Sequence, residues 1–262
     1  MGVPDGTGSA TSGVRAGWLT VFVDLAPDEH AAGAVFWAAL TGAALSASRG
    51  AHDEFATLLP ASGAAYLRVQ RLGAGPSGVH LDLHVPDLDD ATALATGAGA
   101  SVVARPGHVV LRSPGGFPFC LVGLQADDDA ASRTPPVRLA DGHRSIADQL
   151  TIDVTPDRWD DEVAFWPRLT GWPAAPASRP GMVRLHTPSS LPVRVLLQRK
   201  DEGPTSGHVD VATDDRPAEV ARLVALGAGV AALGPAWTVL DPPAGPSLCV
   251  TDRDPATGLV PR

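Results

Sequence analysis

Apolar positions follow two rhythms along the chain. WLTVFVD (18–24) alternates between two sides, as a strand with one buried face does. Pro27-Asp28-Glu29 then opens a stretch in which Val35, Phe36 and Leu40 recur at helical spacing, and Gly42 ends it. Strand-like runs follow near 55–59 and 64–71. HLDLHV (80–85) alternates again, with Leu81, Leu83 and Val85 on one face and His80, Asp82 and His84 on the other. Asp87 suits the N-cap of a helix carrying Leu88, Ala91 and Ala95, which ends at the glycines 97 and 99. Strands near 101–104, 108–112 and 117–122 complete the pattern, the last two joined by the turn Ser113-Pro114-Gly115-Gly116.

The whole pattern then repeats. VFWAALTG (35–42) returns as AFWPRLTGW (164–172), and VHLDLHVPD (79–87) as GHVDVATDD (207–215). PGGFPFCLV (114–122) returns as PAGPSLCVT (243–251), and Gln70-Arg71 as Gln198-Arg199. A constant order at nearly constant spacing marks a tandem duplication. The expected organisation is a tail (1–16), a first domain (17–123), a linker rich in Asp, Pro and Arg (124–146), a second domain (147–252) and a C-terminal tail (253–262). In the second copy Thr155-Pro156 is expected to start a helix, with Trp159, Val163 and Trp166 on one face. Pro167 is expected to kink or shorten that helix.

Each sheet would carry helices on its apolar face and ionisable groups on the other, which describes a cup. Val209 and Val211 oppose His208 and Asp210, while Leu150, Ile152 and Val154 oppose Gln149, Thr151 and Asp153. Polar groups on such a face need partners, water, metal or ligand.

Composition narrows the function. A net charge of −9 repels phosphate backbones, so nucleic acid is a poor partner. No apolar run approaches the ~20 residues of a membrane span, and residues 1–16 lack the features of a secretion signal, so the expected location is the cytoplasm. The two cysteines, Cys120 and Cys249, sit at equivalent places in the two copies, which argues against a mutual disulfide. Gly73 to Gly78 satisfies G-x-G-x-x-G but precedes a strand, so it reads as a hinge rather than a dinucleotide site. His30, His52, His108, His143 and His186 show no partnering pattern and are expected on the surface or in loops. Arg71 and Arg199 are expected in structural ion pairs.

The motifs F-W-x-x-L-T-G, H-L-D-L or H-V-D-V, and a turn followed by F-C-L or L-C-V resemble the vicinal oxygen chelate superfamily of glyoxalases, bleomycin-resistance proteins and extradiol dioxygenases, in particular the glyoxalase-like branch common in actinobacteria. The resemblance implies an α+β fold: four βαβββ modules paired into two tandem glyoxalase-like domains with cup-shaped mixed sheets. Four modules close two cups without a second subunit, so a monomer suffices and a homodimer is the other state to expect.

The resemblance also implies a divalent metal bound by the first and last strands of paired modules. Carried over position by position, it points to Gln149, His208 and Cys249 in the second cup and to His80 and Cys120 in the first, with Trp18 standing where Gln149 stands. Thiolate and imidazole favour zinc, or nickel, over harder cations. Asp210, Asp153 and Asp82 are the acid–base candidates. Trp18, His80, His84, Thr151 and Trp237 are the candidates for ligand contact. The implied function is small-molecule binding in a cup, with metal-dependent lyase, isomerase or dioxygenase-type chemistry. The alternative is a metal-free protein that sequesters an antibiotic or metabolite, for which the acidic excess favours a cationic ligand.

Overall fold

The computed structural model describes residues 13–126, 128 and 132–260. The first copy runs β1 (Trp18–Leu25), α1 (His30–Thr41), β2 (Ala44–Leu45), β3 (Phe55–Leu59), β4 (Leu67–Arg71), β5 (Gly78–Val85), α2 (Leu88–Gly97), β6 (Ser101–Ala104), β7 (Val109–Arg112) and β8 (Pro118–Gly123). A short β9 (Val137–Arg138) lies in the connection. The second copy runs β10 (Arg144–Val154), α3 (Trp159–Thr170), β11 (Ala174–Pro176), β12 (Met182–Leu185), β13 (Arg194–Arg199), β14 (Ser206–Thr213), α4 (Arg216–Ala225), β15 (Gly229–Leu233), β16 (Trp237–Asp241) and β17 (Leu248–Thr251).

Each copy makes its own mixed sheet. The first has strand order β2-β3-β4-β1-β5-β8-β7-β6, and the second repeats it as β11-β12-β13-β10-β14-β17-β16-β15, with β9 added beside β10. The two modules of a copy meet where β1 pairs antiparallel with β5, and β10 with β14. Each cup therefore forms within one copy.

Strand alternation decides which face meets the helices. Leu19, Val23, Leu81, Leu83, Leu150, Ile152 and Val211 are completely buried. The helices cover them, and their caps follow from local chemistry. Asp87 accepts from the backbone of Asp89 and Asp90 at the start of α2, and Asp215 from Ala218 at the start of α4. Gly42 and Gly171 end α1 and α3 in the left-handed conformation that glycine adopts at least cost. Residues 155–158 form a turn, closed by Arg158 N–H on Thr155 O, and α3 starts only at Trp159. Pro167 does not shorten α3, which has the same 12 residues as α1. Its missing N–H falls one turn from the end, where Gly171 N–H to Pro167 O and Thr170 Oγ1 to Trp166 O hold the last turn together.

One hydrophobic core serves both copies. Phe117 and Phe119, beside or on β8, pack edge-on or tilted against Trp166 and Phe165 of α3. The carboxylate of Glu162 accepts from Trp166 Nε1 at 2.9 Å and, across the copies, from Gly115 N–H at 2.7 Å. In the opposite sense, Glu29 accepts from Gly245 N–H, and Arg222 of α4 donates to the carbonyls of Ala39 and Leu40 at the end of α1.

The boundaries shift slightly from those expected. Val14 is buried and its N–H bonds Leu169 O, so residues 13–16 pack onto the body, and residues 1–12 lie outside the described part. β10 begins at Arg144, inside the expected linker. Residues 72–77, with their glycines, connect β4 to β5 as the hinge between modules.

Candidate functional site

Each cup carries the same four-residue cluster on the face turned away from the helices. In the second copy, β10 supplies Asp153, β14 supplies His208 and Asp210, and β17 supplies Cys249. Asp153 Oδ2 lies 2.8 Å from His208 Nδ1, and Asp210 Oδ1 lies 3.1 Å from His208 Nε2. Cys249 is the partner of Asp210 in the strand register. One donor atom each from His208, Asp210 and Cys249 fall within 4.8 Å of one another. The first copy repeats the arrangement: Asp24 Oδ2 is 2.7 Å from His80 Nδ1, Asp82 Oδ1 is 3.4 Å from Nε2, and Cys120 completes the set.

The carboxylate on Nδ1 comes from the neighbouring strand. His80-Asp82 and His208-Asp210, visible as i,i+2 pairs, are the longer contacts. Asp24 was missed, and Asp153 was marked for acid–base work rather than for holding the ring. The signal that could find them is the antiparallel register, which lays Asp24 beside Gly78 and Asp153 beside Ser206.

The electrostatics of the cluster follow from burial against charge. Burial pulls the His208 imidazole down, yet the charge of Asp210 and the hydrogen bond of Asp153 hold it well above its ordinary value. His80 is likewise raised, with Asp24 the main charge opposing burial. Burial tends to raise Asp210, but His208 keeps it below the usual carboxylate range. Burial pushes the Cys249 and Cys120 thiols up. Without a metal, each cluster is thus an imidazole of raised proton affinity set between two aspartate side chains beside a thiol.

The same donors fit a metal. Asp153 fixes the tautomer through Nδ1 and leaves Nε2 as the ligand atom, the arrangement of a carboxylate–histidine–metal unit. Asp210 Oδ2 is held by Gln149 Nε2 and by Thr151 Oγ1, whereas its buried Oδ1, 3.1 Å from His208 Nε2, makes no aligned hydrogen bond. A nitrogen, an oxygen and a sulfur ligand suit zinc. Binding would release the protons on imidazole and thiol.

Several expected residues take other places. Gln149 reaches Asp210 with its amide, so it positions that carboxylate. Its counterpart is Thr20, which pairs with Asp82 as Gln149 pairs with Asp210; the expected match to Trp18 is two residues out of register. Trp18 belongs to the hydrophobic core. His84 uses both ring nitrogens inside the first copy, one with Thr20 Oγ1 at 2.9 Å and one with Asp128 Oδ2 at 2.8 Å. Thr151 is fully buried behind Asp210. Trp237 lines the second cup with Arg179 stacked on it, 3.9 Å from the ring centre. His143 is not a surface residue: it is buried between Asp141 and Glu219. Arg71 and Arg199 form no ion pair among the described residues; Arg71 donates to His52 O, and Arg199 lines the second cup.

The two cups differ in what fills them. In the first, Phe22 lies flat on His80, with ring centres 4.6 Å apart and planes 7° apart. Arg68 also lies over the Phe22 ring, 5.7 Å from its centre, and Phe55 meets it edge-on. In the second, the register puts Thr151 and Leu196 at the places of Phe22 and Arg68. There a cavity of about 1770 Å³ opens, lined by His208, Asp210 and Cys249 among others, and reaching Asp24 at the seam between the copies.

The glyoxalase-like domain family matches residues 20–122 and again 149–251. The chain belongs to this glyoxalase-like domain family. Its fold is that of the Mn(II)-bound glyoxalase from Novosphingobium aromaticivorans, at 17% identity and a TM-score of 0.62, covering 91% of this chain and 82% of that one. The halotolerant catechol dioxygenase BphC is similar at 13% identity and 0.60, covering 91% and 87%. A mutant of 4-hydroxymandelate synthase from Streptomyces coelicolor is similar at 15% identity and 0.62, covering 95% and 94%. A search of curated protein sequences finds no match. Two glyoxalase-like copies stand in tandem, and each carries its cluster at the centre of its sheet. No helix among the described residues is long and apolar enough to cross a membrane.

Proposed function

We propose that the second glyoxalase-like copy binds a small molecule over a divalent metal, zinc or nickel, and carries out lyase, isomerase or dioxygenase-type chemistry there. The observation that supports this reading is the buried Asp210 Oδ1, which lies 3.1 Å from His208 Nε2 without the alignment of a hydrogen bond, beside the Cys249 thiol in the wall of a large cavity. His208, Asp210 and Cys249 hold the metal. When bound, it polarises a ligand oxygen as a Lewis acid. Asp153 keeps the ring of His208 in place, and Gln149 and Thr151 keep Asp210 turned toward it. Trp237 and Leu196 give the ligand an apolar wall that excludes water.

In the first copy the stacked Phe22 leaves the cluster a structural role. Elemental analysis after zinc reconstitution is expected to give one equivalent, lost in His208→Ala and kept in His80→Ala. No bound metal in the wild type would overturn this reading. One observation favours a second reading, a metal-free binding cup in the cytoplasm: each ring nitrogen of His208 already has an aspartate oxygen beside it, at 2.8 and 3.1 Å. Under it, ligand binding survives a chelator unchanged.

A further inference from the structure

The charge of the second cavity is opposite to that of the chain. Arg112, Arg179, Arg184, Arg194, Arg199 and Arg253 line it against Asp24, Asp153 and Asp210, in a protein of net charge −9. Arg179, Arg184 and Arg199 have no carboxylate partner among the described residues. A cationic ligand would meet this wall at a cost, and an anion would be drawn to it. The acidic composition therefore misleads about the ligand, because the acidic excess lies elsewhere.

One group of residues has no counterpart in the first copy. Pairing along β10 and β14 passes directly from Ala147 opposite Val211 to Gln149 opposite Asp210, so Asp148 is an extra, bulged residue. Nothing is inserted at the equivalent point of β1. Asp148 is completely buried and serves two guanidinium groups. Arg194 Nη1 donates to its Oδ2, while Nη2 donates to Thr257 O at 2.8 Å. Arg253 Nη1 lies 2.8 Å from its Oδ1 without the alignment of a hydrogen bond, and Arg253 Nε donates to Thr251 Oγ1 at 3.1 Å. Arg253 Nη2 has no partner at all, although the residue is only 6% exposed. Buried N–H groups normally find an acceptor. Here one carboxylate answers two cations, and Arg253, which carries the surplus donor, is among the residues bordering the cavity.

We propose that Arg253, braced by Asp148 and Arg194, is an anion-binding subsite, and that the ligand of the second cup is a small molecule with an aromatic or apolar body and one oxyanion group, a carboxylate or a phosphate. The body lies along Trp237, Val239 and Leu196, and the oxyanion takes the unpartnered Nη2 protons of Arg253. The subsite lies four residues beyond Cys249, in the segment that sequence reading treats as a tail. It deepens the proposed function, since it assigns the ligand class of the same cup, but its test does not need the metal.

Two fluorescent probes of nearly the same body separate charge from shape: anilinonaphthalene sulfonate, which is an anion, and neutral N-phenylnaphthylamine. Titrated into the full-length protein, with zinc and again with chelator, the anion is expected to bind at least tenfold tighter than the neutral probe. Phenylacetate or phenyl phosphate should displace it at least tenfold better than phenylacetamide, and the better of the two names the oxyanion. Arg253→Met should remove the preference while leaving the neutral probe in place. If that variant unfolds by stranding Asp148, the pair Asp148→Asn with Arg253→Met removes both charges together. Equal affinity for the two probes, or an undiminished preference in a folded Arg253 variant, overturns the subsite. A preference that persists with chelator while no zinc binds keeps the subsite and rejects the metal reading alone.

Discussion

The two copies share a cluster and differ in what stands beside it. Asp24, His80, Asp82 and Cys120 repeat as Asp153, His208, Asp210 and Cys249, each imidazole held by a carboxylate from the adjacent strand. In one copy a phenyl ring covers the imidazole; in the other a threonine stands there and a cavity of about 1770 Å³ lies over it. Identical donors are therefore poor evidence of equal function. What surrounds them decides, because a site must be both built and reachable.

The strongest way to break the comparison is to exchange the plugs. Thr151→Phe with Leu196→Arg should close the second cup and weaken probe binding by about 100-fold or more, some 2.7 kcal/mol. Phe22→Thr with Arg68→Leu should raise the stoichiometry of bound probe from one toward two, measured by fluorescence titration. If the first exchange leaves binding intact, the cavity is not the binding site.

A smaller effect is expected from the carboxylates behind the rings. Asp153→Asn should weaken zinc binding by about 10- to 100-fold, the usual cost of losing such a partner. Asp24→Asn should leave it unchanged. Competition with a chromogenic chelator measures both.

Two fully buried tryptophans at matching places, Trp37 and Trp166, extend the comparison to the core. Trp166 donates to Glu162, whereas Trp37 Nε1 has no partner. Trp166→Phe is therefore expected to cost about 1–3 kcal/mol more than Trp37→Phe in urea unfolding, because only the first leaves a buried carboxylate short of a donor.

The smallest effect is a pH dependence confined to the second copy. Burial lowers His143, but Glu219 and Asp141 raise it above its ordinary 6.5 overall. The stability it contributes is complete below 6.5 and fades as pH rises through the raised value. Glu219, held low against burial by Arg222 and His143, loses its share only as pH falls through its depressed value. His143→Gln should flatten the alkaline decline by about 1 kcal/mol, seen as a shift of a few degrees in Tm.

Much of this was legible in the sequence, and the rest was hidden for definite reasons. Alternation in HLDLHV assigned His80, Asp82 and Leu81 to their faces, because side-chain direction in a strand is a local property. The partner of His80 was not local: Asp24 lies on another strand, 56 positions away. The bulge at Asp148 was equally invisible, since one inserted residue changes pairing without changing the composition of the strand. His143 looked unpartnered because Glu219 reaches it from α4. Arg253 stood outside the repeat and so outside attention, although it packs as tightly as a core residue.

The shared core gives the plugged copy a reason to persist. Phe117 and Phe119 rest on Phe165 and Trp166, so a gene cut between the halves would leave each product with a greasy, unmatched flank. The copy without an open pocket acts as the ballast of its twin, and mutations that reshape one pocket are tolerated as long as the common seam stays dry.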